Sequence, residues 1–254
     1  MGALEYAPTQ GPTSTKSKPI DVEALVRLAG EILTKRSELR GSFAPLDRED
    51  ALTDILQVGT SAGGARAKAI IAWNPKTDEV RSGHVKAGKD FSYWLLKFDG
   101  VSGNKDKELA DPQGYGRIEF AYAQMAMAAG ITMTRCRLHE ENGRAHFMTQ
   151  RFDRTENGRK LHMQSLGSLM HYDFNQPAAY SYEQALQACA QLKLSMEDRE
   201  QQFRRAIFNV IARNQDDHVK NIAFLMNRQG IWRLSPAYDI TYAWNPTGDW
   251  TGKH

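Results

Sequence analysis

Residues 214–226 read Asn214-Gln215-Asp216-Asp217-His218-Val219-Lys220-Asn221-Ile222-Ala223-Phe224-Leu225-Met226. A mostly polar run stands here between an apolar helical pattern ending in RAIFNVIAR (205–213) and an apolar strand pattern, IAFLM. A loop held rigidly at both ends suits catalysis, because side chains placed on it keep their geometry. Beyond IAFLM, the turn Asn227-Arg228-Gln229-Gly230 leads into a second strand, IWRL, and then into Ser235-Pro236-Ala237-Tyr238-Asp239-Ile240.

Asp216 and Asn221 are five apart. A carboxylate that accepts a hydroxyl proton, followed by an amide that ligates magnesium, is the Asp-x-x-x-x-Asn logic of kinase catalytic loops. Mixed carboxylate and amide oxygens favour a hard cation such as Mg²⁺. Asp-Asp-His also suits a transition metal, but no second His/Cys cluster supports one. The plain alternative is a solvated loop whose Asp and Asn residues cap turns. A kinase needs one more acid after such a hairpin, to hold Mg²⁺ against phosphates, and Asp239 stands there.

Working towards the N-terminus, YWLLKF (93–98) reads as a strand covered on both faces, and Lys97 within it must meet an anion or snorkel to water at the strand end. Glu119, on a helix expected over 117–129 and stopped by Gly130, is a candidate partner for Lys97. The segment Gly59-Thr60-Ser61-Ala62-Gly63-Gly64-Ala65-Arg66-Ala67-Lys68 precedes the strand KAIIAW. Its glycines and hydroxyls allow backbone N–H groups to approach phosphate oxygens, though a glycine-rich hairpin turn has the same composition. A strand is expected at 55–58. Asn142-Gly143 marks a hairpin joining TMTRCRLHE to AHFMTQRF. Asp21 caps an amphipathic helix carrying Val22, Leu25, Val26, Ala29, Ile32 and Leu33. Two helical patterns over 182–213 split near Leu194-Ser195. Arg151, Arg154, Arg159 and Lys160 cluster around a turn, which reads as a solvated basic face. The expected organisation is an extended segment over 1–20, a sheet-rich part over 21–153 and a helical part over 154–254.

Composition narrows the class. With 254 residues, 41% hydrophobic and 25% charged, the chain has enough material for a core and is not fully disordered. The net charge of +3 is too small to imply a nucleic-acid protein. Two cysteines give no disulfide framework, which suits a reducing, cytoplasmic setting. No apolar run approaches the ~18 residues of a membrane span, and MGALEYAPTQG is not a secretory signal.

Taken together, MGALEY, GTSAGGARAK, YWLLKF, the helix with Glu119, FMTQRFDR, NQDDHVKNIAFLM and SPAYDI resemble the HipA family of Ser/Thr protein kinases, the toxin halves of toxin–antitoxin modules. The resemblance implies an α+β, two-lobed kinase-like fold with a mixed sheet in the N-lobe and a helical C-lobe, here truncated. It also implies ATP and Mg²⁺ as cofactors. By position, Asp216 resembles the catalytic base, Asn221 and Asp239 the metal ligands, and Lys97 the phosphate-binding strand lysine. Ser61, Ala62, Gly63 and Gly64 match the ATP-binding loop, Gln150-Arg151-Phe152 the adenine-contacting hinge, and Lys220 a further ATP-binding position. Ser61, or the adjacent Thr60, matches the autophosphorylated residue whose modification shuts off ATP binding. The implied targets are aminoacyl-tRNA synthetases, glutamyl-tRNA synthetase in particular. The implied partner is a HipB-like helix-turn-helix antitoxin, through which alone DNA is met. The family's N-terminal β-rich subdomain and the later C-lobe helices have no counterpart in these residues. An interaction module of kinase ancestry and a small-molecule kinase remain alternatives.

Overall fold

The computed structural model describes residues 2–4, 19–23, 25–26, 68–84, 86–100, 114–155, 158–173, 176 and 179–243. The glycine-rich segment 59–67, with Thr60, Ser61, Ala62, Gly63 and Gly64, lies outside the described residues, as do the strand expected at 55–58, most of the extended segment expected over 1–20 and residues 244–254.

Short apolar runs between turn residues form a five-stranded antiparallel sheet in the order β2-β1-β3-β5-β4. Its strands are β1 (Lys68–Trp73), β2 (Val80–Ser82), β3 (Ser92–Lys97), β4 (Cys136–Glu141) and β5 (Arg144–Gln150). The expected hairpin joins β4 and β5. Asn142 and Gly143 both have positive φ, 45° and 77°, as a two-residue turn of the hairpin hand requires.

Register sorts the side chains. Leu96 lies opposite Ala69 and Met148, and Trp94 opposite Ile71. All of these pack with Val22, Leu25 and Val26 in one core. The cap expected at Asp21 is present, its carboxylate accepting the Glu23 N–H at 3.0 Å. Because strand side chains alternate, Lys97 belongs to the opposite face, with Lys68 and Phe147 directly across from it.

Helix α1 (Tyr115–Ala128) runs against β4 and β5. At Gly116 the approach is so close that a Cβ would lie 2.0 Å from the Ala145 carbonyl oxygen. The helix ends where the sequence indicates. Gly130 has φ 76°, the Ile131 N–H donates to the Ala126 carbonyl, and the Gly130 N–H donates to that of Met127, both at 3.0 Å. This is the Schellman pattern.

A second sheet contains β6 (His162–Ser165), β7 (Ala223–Met226) and β8 (Trp232–Leu234), antiparallel in that order. The pair β7–β8 is the hairpin read from the sequence. β6 and the short helix α2 (Leu166–Met170) are additions. The β6 residues His-Met-Gln-Ser are all half-buried and show no alternation, so no periodic signal marks them. Helices α3 (Tyr182–Gln191) and α4 (Met196–Ile211) break where expected, with Lys193 at φ 55° and Ser195 capping α4. Leu166, Cys189, Val219, Phe224 and Leu234 form the core of this part. The α+β class is as expected. Among the described residues no helix is long and apolar enough to cross a membrane.

His146 is buried on β5. Its Nδ1 accepts the Asp99 N–H at 2.8 Å, and its Nε2 lies 3.0 Å from Glu141 Oε1, so the neutral ring carries its proton on Nε2. Burial holds the ring below its ordinary pKa of 6.5, against the pull of Glu141. A depressed histidine contributes stability above its unfolded pKa and loses it as pH falls towards the folded one. The melting temperature should therefore fall as the buffer is taken from pH 7 to pH 5, and less steeply in His146→Gln. Part of the slope should remain, because burial and neighbouring cations also depress His84, to about 4. Identical slopes in the two proteins would show that His146 is not held neutral.

Candidate active site

Three elements deliver one charged cluster. Lys97 ends β3, Glu119 sits one turn into α1, and Asp239 follows β8. The Lys97 ammonium donates to both Glu119 Oε1 and Asp239 Oδ1. Lys97 and Glu119 are buried, and the Asp239 side chain is about one-third exposed. Burial opposes the charge on Lys97, but Asp239 and then Glu119 outweigh it and push the ammonium above its ordinary pKa. Burial likewise opposes ionisation of Asp239. Lys97, then Lys68 and His218, pull its carboxyl well below the usual carboxylate range. Asp239 also has φ 58°, a left-handed conformation that a short polar side chain tolerates and that functional sites favour.

The polar loop is braced from behind by α4. Asn214 donates from its backbone to the Asn209 carbonyl and from its side chain to Asn209 Oδ1, both at 2.9 Å. Asn209 in turn donates to Asp217 Oδ2 at 3.2 Å. The two adjacent acids therefore differ. Asp217 is buried in this brace, whereas the Asp216 side chain is 42% exposed. Asn221 donates its Nδ2 to the Asp216 carbonyl at 2.7 Å, which leaves the amide oxygen as its ligating end. His218 Nε2 lies 3.8 Å from Asp216 Oδ1, beyond hydrogen-bond range and within reach of a charge interaction when protonated.

Two contacts tie this loop and the helix behind it to the Asp239 segment. The Tyr238 hydroxyl donates to the Lys220 carbonyl at 2.6 Å, and the buried Arg205 of α4 donates to the Ser235 carbonyl at 2.6 Å. Burial brings the Arg205 guanidinium down to about 10. Of the residues singled out in the sequence, Lys97 and Asp239 are thus in direct contact, Asn221 is bonded to the Asp216 backbone, and the Tyr238–Lys220 contact ties the two segments together.

The stretch Gln150-Arg151-Phe152 closes the first sheet. The Gln150 N–H donates to the Arg135 carbonyl and the Arg151 N–H to the Tyr93 carbonyl, at 2.9 and 2.8 Å. Those two donors are engaged within the protein. The Phe152 ring lies 5.5 Å from that of Tyr238, so this stretch adjoins the Asp239 segment. Arg151 and Arg154 do not form a plain solvated face: both reach the buried Asp153 carboxylate, Arg151 through two hydrogen bonds of 2.8 and 2.6 Å.

Lys68, Arg205 and the Asn209–Asn214–Asp217 brace are parts of the site that sequence reading passed over. Lys68 had a signal, since it ends the glycine-rich segment and begins a strand. Only the register shows that it shares a face with Lys97. Among the described residues, no group of three or more His, Cys, Asp or Glu is arranged to hold a metal. Mg²⁺ takes one or two protein oxygens together with substrate phosphates. The free amide oxygen of Asn221 and the ionised carboxylate of Asp239 are the hard donors such an ion takes.

Residues 60–252 match the HipA-like C-terminal domain. The chain belongs to the HipA family. Its fold is similar to a chain of the Shewanella oneidensis MR-1 toxin–antitoxin complex of HipA, HipB and operator DNA, with a TM-score of 0.59 and 17% identity. That similarity covers 95% of this chain and 54% of the other, so the chain spans about half the length of the HipA-type structure it matches. No curated protein matches the chain in sequence.

Proposed function

We propose that this chain is the catalytic part of a HipA-type toxin, an ATP- and Mg²⁺-dependent Ser/Thr protein kinase. The observation that carries this reading is the meeting of Lys97, Glu119 and Asp239, from three separate elements, beside the Asp216–Asn221 loop. In phosphoryl transfer the protein mainly positions groups and offsets charge. Bound Mg²⁺ would neutralise charge developing on the transferred phosphoryl group, held by Asp239 and the Asn221 oxygen. Lys97, kept charged by its carboxylates, would bind phosphate oxygens. Lys220 and the Gln150–Phe152 stretch would line the nucleotide. Asp216, the exposed acid of the pair, would accept the proton of the attacking hydroxyl.

Family membership supports the further reading of this reaction. Its target would be a translation protein such as an aminoacyl-tRNA synthetase, glutamyl-tRNA synthetase in particular, and the result growth arrest. Ser61, or Thr60 beside it, would be the autophosphorylation site. A phosphate there adds about −1.5 to −2 charges and would repel nucleotide phosphates from the same loop. A HipB-like antitoxin is the proposed partner.

A second reading, a catalytically impaired module acting through an antitoxin or complementary subunit, is favoured by one face of α4. Phe203, Ile207, Val210 and Ile211 are exposed there, by 45 to 77%. Ala223, Phe224 and Leu225, which that reading also expects to be uncovered, are buried. Incubation with ATP and MgCl₂ followed by intact-mass analysis separates the two. A gain of one phosphoryl group, mapped to Ser61 or Thr60 and abolished by Asp239→Asn, supports the kinase. No gain in mass, and no nucleotide-dependent rise in melting temperature, supports the module.

A further inference from the structure

Asp99 stands two residues beyond Lys97 on the same chain segment and is 3% exposed. Its carboxylate accepts the Gly114 N–H on both oxygens, each at 3.0 Å, and the Tyr115 N–H at 3.1 Å. The Ala145 N–H of β5 approaches it at 3.4 Å. The Asp99 backbone is itself fixed, since its N–H donates to His146 Nδ1. Gly114, the residue preceding α1, makes no side-chain cap, so Asp99 supplies from another part of the chain what a local Ser or Asp would normally supply.

Tyr115 and Glu119 are one helical turn apart and share a face of α1. Lys97 ends β3, and Asp99 lies two residues further on, in the bend that follows it. Two tethers therefore run side by side: Asp99 holds the start of α1, and Lys97 holds Glu119 one turn further on. At Gly116, between them, the helix touches the Ala145 carbonyl so closely that no side chain fits. A charged acceptor at a helix N-terminus also complements the helix dipole.

We infer that Asp99 is a positioning residue. By capping α1 from the end of β3, it sets the height of Glu119 against Lys97 and so keeps the lysine presented in the site. Its value to the protein rests on the phosphoryl-transfer reading, but its test does not. Lys97 is scored by acylation with an amine-reactive reagent, read by peptide mass spectrometry, on the folded full chain. Asp99→Ala should raise Lys97 labelling by about tenfold, the change expected when a helix N-cap is lost. Asp99→Asn keeps one carbonyl oxygen for the Gly114 and Tyr115 N–H groups and should stay close to the unsubstituted protein. In a Glu119→Gln background, Asp99→Ala should add nothing, because it acts through that glutamate.

Leu194→Ala, in the other core, controls for general loosening and should leave Lys97 protected. Unchanged labelling in Asp99→Ala would overturn the assignment. So would additive effects with Glu119→Gln, or equal labelling in the Leu194→Ala control. A protein that labels as expected yet transfers no phosphoryl group keeps Asp99 in its role and refutes the kinase reading instead.

Discussion

Asp216→Asn is expected to lower phosphoryl transfer by about 10²- to 10⁴-fold, the range that a positioned general base contributes. It should leave folding nearly untouched. The Asp216 side chain is 42% exposed, and Asn221 grips its backbone carbonyl rather than its carboxylate. Surface changes of this kind move stability by only about 0.5 kcal/mol. The same substitution at Asp217 should behave the opposite way. Asp217 is buried and accepts from Asn209, so Asp217→Asn would disturb the α4 brace and show first as lost stability. Autophosphorylation rates and melting temperatures, measured on both variants, check the pair. If Asp216→Asn kept full activity while Asp217→Asn lost it without unfolding, the roles of the two acids would have to be exchanged.

Lys97→Met has the largest expected effect on the fold itself. It removes the cation between two carboxylates and leaves Glu119, almost fully buried, without that partner. Breaking a buried pair from one side costs about 3–5 kcal/mol, mostly as the penalty on the stranded charge. The pH dependence follows from the signs. In the unsubstituted protein Asp239 is held below its ordinary pKa of 3.8, so its contribution is complete above that pH and is lost on acidification. In Lys97→Met the pull of Lys97 on Asp239 is gone. The gap in melting temperature between the two proteins should therefore be wide at pH 7.5 and narrow only as the buffer is taken below pH 3.8. A gap that stays constant on acidification below that pH would mean that Lys97 does not hold the Asp239 carboxylate ionised.

How far the sequence alone reaches depends on whether a residue's role is local. Asn142-Gly143, Gly130 and the Leu194-Ser195 break were legible because a turn, a Schellman cap and an N-cap are each written in a few consecutive residues. The strand pair β7–β8 was legible for the same reason. β6 was not, because its four residues carry no periodicity and pair with β7 only in three dimensions. In the site, Asp216, Asn221, Asp239 and Lys97 stood out through chemistry and spacing. Glu119 was nameable as a candidate, but helical phase could not show that it reaches Lys97. Lys68 stands at the end of the glycine-rich segment, but only register places it across from Lys97. Arg205 and Asp99 act across helix packing and at a distant helix end, and nothing adjacent to them in sequence announces it.

The clasp at Lys97 also orders events during synthesis. Glu119 follows the lysine by 22 residues and Asp239 by 142. Chains emerge N-terminus first at roughly 5–20 residues per second, so on the order of ten seconds separates the arrival of the first carboxylate from that of the second. Throughout that interval the one carboxylate of the pair already synthesised is Glu119 on α1. The cluster as a whole closes only once the segment after β8 has left the ribosome. A growing chain therefore carries an incomplete centre until the segment after β8 arrives, and only then do both carboxylates meet the lysine.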